Sequence, residues 1–109
     1  MTVEVTATRL PPEIEASAYF IAAEALTNVV KHAQATSAAV TATADAGTLA
    51  IEVRDDGIGG ADPRGHGLLG IGDRVAALGG RLRIDSPRGA GTIVAAELPV
   101  AAQKERPSA

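Results

Sequence analysis

The sequence predicts a two-layer α/β domain, a mostly antiparallel sheet covered by helices, and three observations predict it. Alternating apolar and polar residues mark five short strands, and the last four arrive as two turn-linked pairs. A long amphipathic stretch after the first strand and a short one after the third supply the helical layer. The chain of 109 residues has room for one core, not two. That core is aliphatic, because Tyr19 and Phe20 are the only aromatic residues.

Thr2–Thr8 alternates Val3 and Val5 with polar neighbours and reads as the first strand. Pro11 and Pro12 stop it and open a helix, whose positive end suits Glu13 and Glu15. The helix is expected to run to about Gln34, with Ala18, Ile21, Ala22, Ala25 and Val29 as its core-facing stripe. Within it, Glu24, Asn28, Lys31 and His32 stand at i, i+4, i+7 and i+8 on one polar face. Lys31 and His32 would also suit the negative end of the helix dipole without any ligand, and Glu24 could be merely solvated. Asn28 fits that plain account least well, since a central asparagine competes with the helix backbone unless it has a partner.

Ala38–Ala44 reads as the second strand, Asp45–Gly47 as a tight turn and Thr48–Asp55 as the third strand. Leu49, Ile51 and Val53 share one face of that strand, and the period of two carries Asp55 onto it, with Asp56 pointing outward. A carboxylate aimed inward requires a hydrogen-bond donor that the neighbouring residues do not obviously offer. The simpler reading of Asp55-Asp56-Gly57 is a turn that caps the strand.

Gly57–Gly72 has glycine at seven of sixteen positions and is expected to be a mobile loop or lid that lets backbone approach a ligand. It leads into a helix over Ile71–Leu78, with Val75 and Leu78 inward and Gly79-Gly80 ending it, and glycine loops before a helix favour anions. Arg81–Asp85 and Thr92–Leu98 are the last strands, joined by a turn over Ser86–Gly91. The organisation expected is one domain over residues 1–100 and a flexible tail over 101–109. The abrupt start in strand-like sequence suggests a piece of a longer protein.

Composition removes several functions. No cysteine is present, which excludes disulfides and thiolate chemistry, and His32 and His66 lack metal-site spacing. The net charge of −3 and the absence of a basic run disfavour nucleic acid or an acidic membrane as partners. No apolar run reaches membrane-span length and no signal-peptide pattern opens the chain, so a cytoplasmic domain is expected. Gly65-x-Gly67-x-x-Gly70 matches a dinucleotide fingerprint, but Pro63 and several other residues separate it from the preceding strand, and the later strands are hairpins, not parallel units.

Four segments taken together resemble the boxes of the GHKL (Bergerat-fold) ATPases: Glu24, Asn28 and Lys31-His32 on a helix; Asp55-x-Gly57-x-Gly59 after a strand; Gly65-x-Gly67-x-x-Gly70; and Gly89-x-Gly91-Thr92 opening the last strand. More narrowly, EALTNVVKHA and GHGLLGIGDRVAALGGRLRIDSPRGAGTIVAAELP resemble the ATP-binding catalytic domain of two-component sensor histidine kinases of the DesK/NarX-like branch. The resemblance implies a two-layer sandwich with a mixed, mostly antiparallel sheet and helices on one face. It implies that Asp55 takes the adenine amino group, that Asn28 holds Mg2+ through its side-chain oxygen, and that Glu24 activates the attacking group or orders water at the metal. Lys31 and His32 would face the phosphates, His66, Gly67, Leu68 and Leu69 would cover them, Gly57 and Gly59 would shape the loop, and Thr92 would close the floor near adenine. The implied partners are ATP and ADP, a separate dimerisation domain that bears the phospho-accepting histidine and, through it, a response regulator. An anti-sigma-factor serine kinase shares the fold, but the lid and LGGRLRI segments fit the histidine kinases better.

Overall fold

A computed structural model describes residues 2–5, 10–45, 47–62, 65 and 67–100, with the side chains of His32 and Ala33 left aside. Five strands, β1 (Thr2–Val5), β2 (Ala38–Asp45), β3 (Thr48–Asp55), β4 (Arg81–Asp85) and β5 (Thr92–Pro99), form one sheet in the order β1-β2-β3-β5-β4. β1 pairs with β2 in parallel, and the other three pairings are antiparallel. The sheet is therefore mixed and mostly antiparallel, as expected. A single parallel edge strand follows from the connection, because a helix must intervene between β1 and β2.

α1 (Pro12–Asn28) begins as its sequence dictates. Proline at the first helical position has no N–H to satisfy, Pro11 O accepts the N–H groups of Ile14 and Glu15, and Glu13 and Glu15 sit in the first turn. The expectation of one regular helix to Gln34 is corrected: residues Val29–Ala33 form a π-helical turn, and Gln34 stops it in the left-handed region at φ 52°. One turn earlier the Thr27 hydroxyl donates to Ala23 O at 2.8 Å, a back-bond that bends helices. Widening the ladder to i→i+5 rotates every later side chain away from its α-helical position. α2 covers Leu68–Ala77, beginning three residues before the expected start. It ends in a Schellman motif, with Gly79 N–H on Ala76 O, Gly80 N–H on Val75 O and Gly79 at φ 75°.

Both helices lie on one face of the sheet, α1 over β3 and α2 over β4 and β5. Ile14, Ile21 and Ala25 of α1 and Leu68, Ile71 and Val75 of α2 are buried against Val40, Leu49, Ile51, Val53, Val94, Ala96 and Leu98. Period two in the strands and 3.6 in the helices select these residues. Val100 extends the core past Leu98, the expected end of the last strand, its N–H held by Gly47 O at 2.8 Å. The expected strand residues 6–8 and the tail at 101–109 lie outside the described residues. Among those described, no helix is long and apolar enough to cross a membrane.

Asp56 fastens the end of the π turn to the sheet. Its Oδ1 accepts the N–H groups of Thr36 and Ser37 at 2.9 and 3.0 Å, and its Oδ2 accepts their hydroxyls at 2.6 and 3.1 Å. The Thr36 hydroxyl above all, then the Ser37 N–H, hold the Asp56 carboxyl well below its ordinary value of 3.8. A carboxyl depressed in the folded state contributes stability above its unfolded value and loses it as the pH falls toward the folded value. Wild-type protein should therefore lose thermal stability between about pH 5 and pH 2 more steeply than Asp56→Asn, with the two converging at the acid end, in melting curves recorded across that range.

Candidate functional site

A cavity of about 210 Å³ opens between the C-terminal end of α1, the start of α2 and the adjoining ends of β3 and β5. Ala25, Val29, Val53, Leu68 and Val94 make it apolar. Three polar side chains enter it, Asn28, Asp55 and Thr92, and the backbone of Ile58–Ala61 closes the open side. An aliphatic slot with few polar groups is the usual form of a small-molecule site.

Asp55 and Thr92 face each other as register partners at the end of the β3–β5 ladder. The donor that Asp55 requires is local after all: Gly57 N–H donates to Asp55 Oδ1 at 2.7 Å. This is an Asx turn, so the capping role and the inward carboxylate belong to the same residue. Asp55 Oδ2 has no partner among the described residues and is left for a donor in the cavity. Across from it, Thr92 Oγ1 lies 2.6 Å from Ser86 Oγ.

The glycine-rich stretch is not one lid. Its first part is sewn to the turn between β4 and β5 by Gly60 N–H on Ser86 O, Gly89 N–H on Ile58 O, Gly91 N–H on Gly57 O and Ala61 N–H on Ser86 Oγ. Gly59 and Gly91 have φ of 66° and 76°, and a Cβ on either would run into a carbonyl oxygen, that of Pro87 or of Asp55. Glycine content here buys close packing, not mobility. From Leu68 onward the stretch is helix.

Asn28 ends α1 with its side-chain Nδ2 buried and without a partner among the described residues. A buried amide left unpaired is costly, and folded proteins seldom keep one. One turn earlier, Glu24 reaches toward the start of α2, where a Cβ on Gly67 would stand 2.7 Å from Glu24 Oε1. Gly67 has φ 81° and precedes a helix with no side-chain cap, so Glu24 stands against its N-terminal end.

The fold thus brings Asn28, Asp55, Gly59, Leu68 and Thr92 to the cavity and sets Gly57 beneath Asp55 and Glu24 against Gly67. Lys31 is exposed and does not line the cavity, because the π turn moves it off the face shared by Glu24 and Asn28. Leu69 is also outside the cavity, 57% exposed. His66 and the side chain of His32 lie outside the described residues. Sequence reading missed Ser86, whose signal was present in the Ser-Pro-Arg-Gly turn, and the wall residues Ile58 and Ala61.

Residues 13–102 match the family described as histidine kinase-, DNA gyrase B-, and HSP90-like ATPase. The chain belongs to that family. Within it, the chain is similar to the ATPase domains of sensor histidine kinases. It is 37% identical over 100 residues to the oxygen sensor histidine kinase NreB of Staphylococcus carnosus, covering 87% of this chain and 29% of NreB. It is 42% identical over 76 residues to the nitrate/nitrite sensor protein NarQ of Escherichia coli, covering 65% of this chain and 13% of NarQ. The chain therefore spans less than a third of either relative. The histidine kinase domain of the Erythrobacter litoralis EL346 blue-light activated histidine kinase superposes with a TM-score of 0.77 at 28% identity, over 95% of this chain and 52% of that one. The ATP-binding domain of PrrB from Mycobacterium tuberculosis has the same fold, with a TM-score of 0.64 at 19% identity over 92% and 80% of the two chains.

The sewn wall of this ATPase domain can be tested at two glycines. Gly91→Ala adds both left-handed strain and a collision with Asp55 O, whereas Gly89→Ala, at φ 80°, adds strain alone because nothing lies within 4 Å of its Cβ. Gly89→Ala should cost about 1–3 kcal/mol in urea unfolding, and Gly91→Ala clearly more, with a loss of ATP affinity that Gly89→Ala does not share.

Proposed function

We propose that this domain binds Mg-ATP with adenine in the cavity beside Asp55 and donates the γ-phosphoryl group to a histidine on a separate dimerisation domain, for relay to a response regulator. The observation that carries the reading is the Asp55 carboxylate, opposite Thr92 on the neighbouring strand, lining an aliphatic slot together with Thr92 and Asn28. Adenine presents an amino donor to a carboxylate, whereas guanine presents a carbonyl oxygen there, so Asp55 favours ATP over GTP.

The residues present fit a magnesium ion held chiefly by phosphate oxygens and water. Among the described residues no group of three or more His, Asp or Glu side chains gathers as a cation cage, and the Asn28 amide, rotated to present Oδ1, is a single hard oxygen of the kind magnesium takes from a protein. When bound, the metal offsets charge on the triphosphate. Glu24, between Asn28 and the start of α2, is the group suited to receive a proton from the attacking imidazole or to order a water. In the transfer, the imidazole nitrogen bonds to the γ-phosphorus as the bond to the β–γ bridging oxygen breaks, and ADP leaves. The N-terminal amides of α2 would face the phosphates, and Lys31, at the surface, and His32 would add charge from outside the cavity. His66, Gly67 and Leu69 would cover the phosphates from the segment leading into α2.

Calorimetric titration with ATP, ADP, GTP and NAD, with and without magnesium, tests the reading. Magnesium-assisted ATP binding, with ADP close behind and neither GTP nor NAD bound, is the expected result, and selective NAD binding would overturn it. Asp55→Ala should reduce ATP affinity at least about 100-fold with the fold intact by circular dichroism, as expected for loss of a charged hydrogen bond in a buried site. Asn28→Ala should lower affinity only in the presence of magnesium, by roughly tenfold; equal losses with and without the metal would remove Asn28 from that role.

A further inference from the structure

Ser86 stands behind the cavity and controls a group that faces into it. Its Oγ accepts the Ala61 N–H at 2.9 Å and lies 2.6 Å from Thr92 Oγ1, while its carbonyl accepts the Gly60 N–H. Thr92, Gly60 and Ala61 line the cavity and Ser86 does not. A hydroxyl has one proton and two lone pairs, and the Ala61 N–H occupies one of the lone pairs on Ser86. Among the described residues, the only acceptor for the Ser86 proton is Thr92 Oγ1. Either hydroxyl can be the donor between them; with Ser86 donating, the Thr92 proton turns away from Ser86 and is free for an acceptor in the cavity.

We propose that Ser86 is a specificity-determining positioning residue, which makes the Thr92 hydroxyl a fixed hydrogen-bond donor toward the purine edge. The inference rests on the adenine site proposed above. Asp55 supplies an acceptor and Thr92, directly opposite on the neighbouring strand, supplies a donor. Adenine presents an amino donor beside the N1 acceptor, which matches that pair, whereas guanine presents the reverse. One intervening water preserves the polarity, because a water that accepts from Thr92 donates onward to N1. Without Ser86 the Thr92 hydroxyl turns freely and accepts as readily as it donates.

The experiment pairs a protein change with a ligand change. Wild type, Ser86→Ala and Ser86→Thr are titrated with ATP and with 1-deaza-ATP, in which C–H replaces the N1 acceptor. Wild type should bind ATP roughly three- to tenfold more tightly than 1-deaza-ATP, as for one neutral hydrogen bond. Ser86→Ala should lose that factor for ATP while binding 1-deaza-ATP within about twofold of wild type, and Ser86→Thr should restore it. Equal losses for the two ligands in Ser86→Ala would make Ser86 a structural residue only and overturn the inference, as would an unchanged ATP preference. Wild type that ignores ATP altogether, or that binds it equally well as Asp55→Ala, would instead overturn the adenine site itself, and this inference with it.

Discussion

The antiparallel ladder between β3 and β5, from Thr48 opposite Pro99 to Asp55 opposite Thr92, is the constraint on which the other parts of the domain depend. Its inward residues, Leu49, Ile51, Val53, Val94, Ala96 and Leu98, form the floor on which both helices pack. The same alternation that buries them delivers Asp55 and Thr92 side by side at the ladder's end. The period of two leaves no freedom to separate core from site: a slip of one residue would expose the floor and withdraw the carboxylate together.

Around that end, three loops are joined by main-chain and side-chain hydrogen bonds together. The segment after β3 and the turn before β5 hold each other through backbone amides and carbonyls, with Ser86 as the side chain that links them. Asp56 does the corresponding work on the other side, pulling Thr36 and Ser37 to the edge of the cavity-bearing strand. The adjacent aspartates thus divide two tasks. Asp55 spends one oxygen on the turn, while Asp56 commits both oxygens to the scaffold.

Much of this was legible in the sequence because it rests on periodicity and on local chemistry. The strand positions, the proline start of α1, the glycine stop of α2 and the inward aim of Asp55 all follow from residues within a few positions of each other. Three features escaped because they depend on distant partners or carry no compositional mark. The π turn has no residue signature, so α-helical spacing groups Lys31 with Glu24 and Asn28 although it lies exposed, outside the cavity lining. The Asp56 clamp joins groups about twenty residues apart, and only the β2–β3 register brings them together. The loop after Asp55 is rich in glycine, which reads as freedom in a sequence, yet Gly59 and Gly91 are needed because carbonyl oxygens occupy the space a side chain would fill.

A wall built from backbone hydrogen bonds has a consequence for inhibitor chemistry. Main-chain amides and carbonyls offer the same donors and acceptors whichever residues carry them, so a compound that reads only those groups has little basis for telling one such domain from another. The side chains on this wall carry the residue-specific part of its surface. Ile58, half-exposed at the cavity mouth, and Arg88, whose stem passes within 3.3 Å of a Cβ placed on Gly60, project beyond the sewn backbone. Substituents grown from a compound in the cavity toward Ile58 and Arg88 would meet side chains beyond the sewn backbone, whereas those grown toward Asp55 would meet its carboxylate.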